Sequence, residues 1–406
     1  MSRFLAALAL AFVPALSLSA ADWPQFLGLN RDNSTTEPVA PWEGTLKPVW
    51  TKPVGEAHSS PVVAGGVVYA FYQPKGKNAD ALAAFDAKTG DLKWEKSYDR
   101  PEFKPLFGNG PRGTPSVSGD KVFTYGGTGI LASWDAKTGE TDWKVDALKE
   151  FGAKNLFFGT SASPLVAGDK VIALVGGKGA GIVALDAKTG KTAWKATDDP
   201  SSYASPTVIN EQIVALTGSH VRGVGLDGKP LWEVPFRDKL NESSTTPLSA
   251  GGLIFASSVT AGSITVKVTD NKAEKAWENK ALTCYFSTPV VVGDYLYMVN
   301  GMASLTNASI TLRCVELKTG KVAWEKKNVG KYHAAILRCG PAGKETLLML
   351  DDNGFLSLFE ANPKEFKELA RSNVCGTTWA HPALVDGKLY LRDEKELFCF
   401  DLNGKK

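Results

Sequence analysis

A short phrase recurs along the chain, and this repetition limits the possible folds more than any other feature. An apolar residue followed by Asp-Ala-Lys-Thr-Gly stands at 85–90, 134–139 and 185–190, and a weaker copy stands at 315–320. In every copy a Trp follows eight residues after the acidic residue. Shortened copies begin at Asp227 and Asp270 and lead to Trp232 and Trp277. Repeats of this length indicate stacked or circular arrays of one small unit.

A second marker is a small residue and a proline that lead into an apolar, often β-branched, run. These marker prolines are Pro61, Pro115, Pro164, Pro206, Pro247, Pro289 and Pro382. The successive intervals are 54, 49, 42, 41, 42 and 93 residues, so the last interval contains a copy without proline, at 334–337. The chain therefore has eight units.

Each unit reads as four short strands. In the third unit, 164–175 forms two strands around a Gly-Asp turn, 182–185 a third strand and 192–195 a fourth. In the turn before the fourth strand, Asp186 is expected to accept backbone N–H groups and Gly190 to adopt a positive φ. Four antiparallel strands every 40–50 residues are typical of a propeller blade. We predict an all-β, eight-bladed propeller of four-stranded antiparallel blades.

The ends of the chain predict how the ring closes. The sequence stops just after 401–404, where one more outer strand would begin, and residues 48–51 supply that strand from the amino-terminal side. Leu369 takes the Trp position of the seventh unit. The outer-strand tryptophans are expected to wedge between neighbouring blades, and they are Trp50, Trp94, Trp143, Trp194, Trp232, Trp277 and Trp324.

The first 21 residues resemble an export signal. Arg3 precedes an apolar stretch at 4–18, and Ser19-Ala20-Ala21 offers small residues for cleavage. Fifteen apolar residues are short for a membrane span, although a retained amino-terminal anchor is the alternative. We expect residues 22–406 to form one propeller domain, soluble in the periplasm or outside the cell without a membrane anchor. The net charge of +3 does not favour a nucleic-acid partner.

The repeat resembles the tryptophan-docking motif of quinoprotein (PQQ-type) β-propellers, and residues 184–194 are the best copy. Residues 22–28 are also similar to the start of many exported bacterial PQQ-like propellers. The family includes alcohol and sugar dehydrogenases that hold PQQ and calcium above the central channel. It also includes a non-enzymatic lipoprotein scaffold of the outer-membrane β-barrel assembly machinery. The resemblance thus implies the fold and leaves two classes of function open.

The sequence departs from both branches of this family. It has five cysteines, at 284, 314, 339, 375 and 399, but no adjacent pair of the kind that stacks beside PQQ. It has no CxxCH haem attachment and no Cys after the signal for lipidation. Asp351-Asp352-Asn353-Gly354 lacks the alternating ligands of a calcium loop and reads better as a hairpin turn.

Candidate site residues cluster just before the inner strands. His58, His333 and His381 fall there in the first, seventh and eighth units, which are neighbours in a closed ring. They are candidates for a transition-metal or anion site, and the alternative is local bonding to backbone. Arg112 would extend a basic rim. Aromatic residues at the same places are candidates for stacking a flat ligand or for packing, and they are Tyr203, Tyr285, Phe286, Tyr332 and Trp379.

No catalytic set is recognisable in the sequence. Our interpretation is an exported scaffold that binds a protein partner or a small molecule at the funnel of the propeller. The alternative is a compact quinoprotein dehydrogenase that uses PQQ and calcium.

Overall fold

The described residues form eight sheets, each with four antiparallel blade strands and one with a fifth, parallel strand, which confirms the predicted eight-bladed propeller. The computed structural model describes residues 22–301 and 308–403. In each blade the first strand is innermost and the fourth is outermost. The one helix in these residues, Ala147–Glu150, follows blade 2.

Blades 1 to 8 are numbered along the chain. Blade 1 comprises Val62–Ala64, Val67–Tyr72, Ala79–Asp86 and Leu92–Asp99; blade 2, Ser116–Ser118, Lys121–Tyr125, Ile130–Asp135 and Thr141–Asp146; blade 3, Leu165–Ala167, Lys170–Gly177, Ala180–Asp186 and Thr192–Ala196; blade 4, Thr207–Ile209, Gln212–Leu216, His220–Gly225 and Pro230–Pro235. Blade 5 comprises Leu248–Ala250, Leu253–Ser258, Gly262–Thr269 and Lys272–Asn279; blade 6, Val290–Val292, Tyr295–Asn300, Thr311–Glu316 and Val322–Lys327; blade 7, Ala334–Cys339, Thr346–Asp351, Phe355–Glu360 and Glu368–Asn373; blade 8, Ala383–Val385, Lys388–Arg392, Glu396–Asp401 and Pro48–Pro53.

An amino-terminal strand completes the last blade, as predicted. Pro48–Pro53 pairs antiparallel with Glu396–Asp401 and is the fourth strand of blade 8. The indole N–H of Trp50 then donates to the carbonyl of Ala87 in blade 1 at 3.1 Å. The strand that completes the last blade therefore also links it to the first blade.

In six of the eight blades a tryptophan links the outer strand to the next blade. The indole N–H groups of these residues donate to backbone carbonyls at 2.7–3.2 Å, and the residues are Trp50, Trp94, Trp143, Trp194, Trp277 and Trp324. The turn that receives the indole is built as expected: Asp186 accepts the N–H of Thr189, and Gly190 has φ +69°. The ring of Trp143 lies directly against Gly190.

Two positions depart from this pattern. Trp232 donates to the side chain of Gln212 in its own blade, and its ring lies over Gly223. The hairpin of the next blade, at Asp270-Asn271, has no glycine to receive the indole ring. Gln212 in turn donates to Asn271, so the link to blade 5 is indirect. In blade 7 the strand register places Ala370, and not Leu369, at the Trp position.

The glycine beneath the indole allows a direct test of this joint. Gly139 and Gly119 both have positive φ, but a Cβ on Gly139 would lie 2.4 Å from the Trp94 ring, whereas a Cβ on Gly119 would meet nothing within 4 Å. Gly139→Ala is expected to lower the free energy of unfolding by about 2–4 kcal/mol, from backbone strain and overpacking. Gly119→Ala should show the strain alone, about 1 kcal/mol. Equal losses of unfolding free energy for the two variants, measured in urea, would show that the Trp94 ring can shift without cost.

Residues 22–35 form a segment that lies against several inner strands, and we call it the channel insert. Trp23 pairs with Val63 of blade 1, and the carbonyl of Pro24 accepts the N–H of Val117 in blade 2. Ser34–Thr35 adds a parallel strand to the inner edge of blade 7. The pairing of this segment was not predicted from the sequence. The channel insert therefore places residues that precede the first blade inside the ring.

Candidate functional site

The blades carry residues of one repeat position just before their innermost strands, and most of these residues lie at the mouth of the channel. This rim position is the third residue before the marker proline. In blade 7, Ile336 stands in place of the proline, because the register pairs Leu337 with Leu348 as Val290 pairs with Tyr297 in blade 6. The rim residues of blades 1 to 8 are His58, Arg112, Ser161, Tyr203, Ser244, Phe286, His333 and Trp379.

Seven of the eight rim residues line one pocket, which we call the funnel pocket. It encloses about 750 Å³ of empty space, including its open mouth. Only the rim residue of blade 7, His333, does not line it. The other lining residues are Phe26, Ser60, Phe107, Phe158, Ser163, Ser205 and His381. The walls are thus mainly aromatic, with hydroxyl groups and a single guanidinium group.

A belt of hydrogen bonds runs below the rim. The belt position is the residue directly before the marker proline, and six blades have Ser or Thr there. The backbone N–H of one belt residue donates to the hydroxyl oxygen of the belt residue in the next blade, at 2.8–3.2 Å. These bonds run from His381 to Ser60, Ser60 to Thr114, Thr114 to Ser163, Ser163 to Ser205, and Thr246 to Thr288.

Four hydroxyl groups in the pocket have a free donor. Ser60, Ser163 and Ser205 each accept a backbone N–H in the belt, and Ser244 accepts the N–H of Phe286. Among the described residues, none of these four hydroxyls donates a hydrogen bond to another protein group. A hydroxyl both donates and accepts, so four O–H groups remain available to an acceptor in the pocket.

Arg112 places a positive charge in the pocket wall. Its guanidinium donates to the backbone carbonyls of Leu106, Phe107 and Gly108 at 3.1–3.3 Å. Within the described residues, no carboxylate lies within 4 Å of it. Burial lowers the pKa of Arg112 to about 10, so the side chain is still protonated at neutral pH. A cation whose partners are carbonyl dipoles retains attraction for an anion.

The aromatic rings stack mainly on one another. Tyr285 stacks on Phe286 at 3.7 Å, Phe286 on Trp379 at 5.6 Å, and Trp379 on His58 at 5.0 Å, measured between ring centroids. Two protein rings therefore stack on Trp379, which is only partly exposed. Phe107 packs against Trp379 from the side at 5.4 Å. This column forms one wall of the pocket, and the packing interpretation fits Tyr285 and Trp379 better than ligand stacking does.

Two of the three candidate histidines lie side by side, one lining the pocket and one behind it. The rings of His333 and His381 are 5.3 Å apart, and both side chains are buried. His58 is stacked on Trp379 instead, and its Nε2 lies 2.5 Å from the carbonyl of Phe107. Burial lowers the pKa of His381 and of His58 to about 4, and Arg112 contributes at His58. All three are therefore neutral at pH 7.

The channel insert closes the pocket from below. Phe26 lines the pocket and contacts the ring of His381 edge-on at 5.1 Å. Arg31, 3% exposed, donates to the carbonyls of Pro164 and Ser163 at 3.0 and 3.2 Å. No carboxylate of the described residues lies within 4 Å of Arg31 either. A second buried cation therefore adds to the positive potential of the channel.

The structure brings most of the predicted site residues together. His58, Arg112, Tyr203, Trp379 and His381 line the funnel pocket, whereas Tyr285 lies behind Phe286 and His333 is buried beneath. The predicted residue set omitted the serines and the insert. Ser161 and Ser244 occupy the same repeat position as Arg112, so aligning the units on the proline would have found them.

The structure also shows the conformation of the predicted turn and the state of the five cysteines. Asp351 accepts the backbone N–H groups of Asn353 and Phe355, so this acidic run is a hairpin turn, as predicted. All five cysteines are free thiols, and four of them are buried. Within the described residues, no group of three or more His, Cys, Asp or Glu side chains is arranged to hold a metal ion.

The fold and its funnel define a β-propeller of the PQQ-like class. A family model described as outer membrane protein assembly factor BamB matches residues 42–111 and 100–326. The chain belongs to this PQQ-like β-propeller family. None of the curated proteins compared with the chain matches it. Over the described residues, no helix is long and apolar enough to cross a membrane.

Solved structures from both branches of the family share the fold. BamB from Moraxella catarrhalis is 16% identical with a TM-score of 0.60, over 89% of this chain and 99% of that chain. Quinohemoprotein alcohol dehydrogenase from Comamonas testosteroni is 15% identical with a TM-score of 0.64, over 95% and 81%. A europium-containing methanol dehydrogenase is 12% identical with a TM-score of 0.66, over 94% and 98%. At these identities the likeness establishes the fold alone.

The residues of the funnel pocket do not fit a calcium ion beside PQQ. Calcium takes six to eight oxygen ligands, mostly from carboxylates, amide side chains and backbone carbonyls. The pocket lining has no Asp, Glu, Asn or Gln side chain. It offers one guanidinium group and several hydroxyls, which suit the acidic groups of an organic anion and not a cation.

Proposed function

We propose that this PQQ-like propeller is an exported, non-catalytic binding protein whose funnel pocket holds an aromatic anion. One observation carries the proposal: Arg112, which has no carboxylate partner among the described residues, stands in an aromatic pocket beside four serine hydroxyls with free donors. Aromatic walls favour a flat apolar body, and the convergent donors favour a negative group on it. The lining contains no paired acid and base from which to derive a reaction step.

Binding of a simple aromatic sulfonate tests this proposal. We expect 8-anilinonaphthalene-1-sulfonate to bind one site per chain, with a saturable rise in its fluorescence. PQQ should compete for the site without any need for calcium, because the pocket offers donors for carboxylates and no calcium ligands. Calcium-dependent PQQ binding with dye-linked alcohol oxidation would instead establish the alternative, a quinoprotein dehydrogenase.

Protein docking is the second candidate function, and a group of exposed apolar side chains favours it. Leu106, Phe107 and Phe157 are 57%, 43% and 69% exposed, and they lie on the two longest connections between blades, 100–115 and 147–164. Clustered exposed apolar side chains mark interaction sites. The same titration separates the two candidates, since a surface that only docks protein gives the sulfonate no saturable single site that depends on Arg112.

Export is part of the proposal. Its support is the sequence of residues 1–21, which lie outside the described residues, together with the family description, an outer-membrane assembly factor. A mass that corresponds to residues 22–406 for the protein recovered from outside the cytoplasm would support cleavage before Asp22. A mass that includes residues 1–21 would favour the retained anchor.

A further inference from the structure

The belt position lacks a hydroxyl group in two adjacent blades. The belt position holds Ser or Thr in blades 1 to 6, but Ala335 in blade 7 and His381 in blade 8. His381 still donates its backbone N–H to Ser60, so the backbone keeps the repeat geometry. Only the side chain differs. A departure from the repeat pattern beside a pocket indicates a functional position.

The two imidazoles at this interruption have unused nitrogens. Neither ring nitrogen of His381 makes a hydrogen bond of normal geometry with the described residues, and the same holds for Nε2 of His333. Nδ1 of His333 lies 3.2 Å from the hydroxyl of Ser287. His381 and His333 are 3% and 1% exposed. Leaving buried polar atoms unpaired costs about 1–3 kcal/mol each, so these rings are poised for a partner that enters the pocket.

The surroundings of the two rings favour a negative partner. Arg112 lines the same pocket as His381, and Arg31 lies on the insert whose Phe26 contacts the His381 ring. Asp352, at the blade 7 hairpin, is already engaged by the N–H groups of Lys331 and Tyr332. In the free protein, burial lowers the pKa of both imidazoles, whereas the backbone carbonyl of Phe286 acts in the opposite direction at His381.

We infer that the funnel pocket binds its aromatic anion together with one proton, which His381, with His333 beside it, takes up from solvent. His381 lines the pocket, whereas His333 lies behind it and supports it as a positioning residue. The anion supplies the negative partner that the buried imidazole lacks, and a protonated His381 can then donate to it. One neutral imidazole, one anion and one proton thus combine to give one imidazolium–anion pair. The inference rests on the proposed function of the same pocket.

The depressed pKa of both imidazoles supports this coupling. The pKa of His381 is about 4 and that of His333 is well below its usual range, mainly through burial. Proton uptake at pH 6 therefore requires the ligand to raise the pKa of His381. Linkage then makes affinity rise as pH falls, by roughly tenfold per pH unit when one full proton is taken up.

Calorimetry with 8-anilinonaphthalene-1-sulfonate tests the inference, because the sulfonate does not itself titrate. Binding at pH 6 is measured in two buffers that differ in ionisation enthalpy. We expect the heat to depend on the buffer, with uptake approaching one proton per bound sulfonate, and the affinity to tighten towards pH 5.5. Binding with buffer-independent heat would overturn the inference and leave the proposed function intact. No saturable binding would overturn the proposed function itself.

Two histidine variants assign the proton. His381→Ser installs the residue that other blades have at the belt position, so the variant should fold, and it should bind the sulfonate with little proton uptake. His220→Asn is the control, because His220 lies on blade 4 and is hydrogen-bonded to Asp199, away from the pocket lining. It should keep the uptake of the unmodified protein. Unchanged uptake in His381→Ser would contradict the assignment.

Discussion

Trp23→Ala is expected to lower the free energy of unfolding by about 3–5 kcal/mol, although Trp23 precedes every blade strand. Trp23 is 3% exposed, and its backbone makes two hydrogen bonds with Val63 at 2.8 and 2.9 Å. Its side chain belongs to the hydrophobic cluster that also contains residues of blades 1, 7 and 8. Removing the indole should leave a cavity where the ring is closed, and urea unfolding would measure the loss.

Leu29→Ala is the control for this prediction. Leu29 lies in the same insert but is 40% exposed, so its removal should cost no more than about 0.5 kcal/mol. A loss of less than 1 kcal/mol in Trp23→Ala would show that the insert is attached to a ring that is stable without it.

The second large effect is a loss of stability in mild acid. His381 has a pKa of about 4 in the folded protein, against about 6.5 in an unfolded chain. The unfolded state therefore binds more protons between these values, and stability falls as pH decreases from about 6.5 to about 4. His381 alone should remove about 3 kcal/mol over this range, and none above it. The lowered pKa of His333 acts in the same direction.

His381→Ser separates this effect from the titration of carboxylates. The variant should lose less stability than the unmodified protein between pH 6.5 and 4.5, as followed by urea unfolding at each pH. Parallel pH profiles for the two proteins would mean that a group in the folded protein already stabilises the protonated form of His381.

The repeat made the fold predictable because local rules and the global architecture agree in most units. Asp186, Gly190 and Trp194 each have a role that a single unit defines: a turn acceptor, a positive φ and a contact with the next blade. The closing strand was also predictable, since the last unit lacked one strand and Trp50 carried the missing marker. Periodicity thus gave both the number of blades and the manner of closure.

The site was less predictable, because it depends on contacts between units. Nothing local indicates that Phe26 and Arg31 lie inside the ring, since their partners are more than a hundred residues away in the chain. Likewise, Trp232 has the sequence signature of the linking tryptophans, but its neighbour in blade 5 has no glycine to receive it. Pairing between distant residues decided both outcomes.

Two positions of the same repeat have different tasks. The belt position is a hydroxyl in six blades, and five of these hydroxyls accept a hydrogen bond from the neighbouring blade. The rim position differs in nearly every blade and carries Arg112, Tyr203 and Trp379 towards the pocket. A repeated architecture can therefore keep its ring while its binding surface changes, which is how one propeller family accommodates different functions.

The central claim is that Arg112 makes the funnel pocket an anion site. The most direct measurement is the affinity of 8-anilinonaphthalene-1-sulfonate for Arg112→Gln, compared with Arg237→Gln, which removes the same charge from an exposed arginine outside the pocket. Unfolding of both variants in urea shows whether the loop around Arg112 is retained. We predict at least about a tenfold loss for Arg112→Gln, the worth of one charge-assisted hydrogen bond, and no change for Arg237→Gln. Equal affinity of the two folded variants would contradict the account.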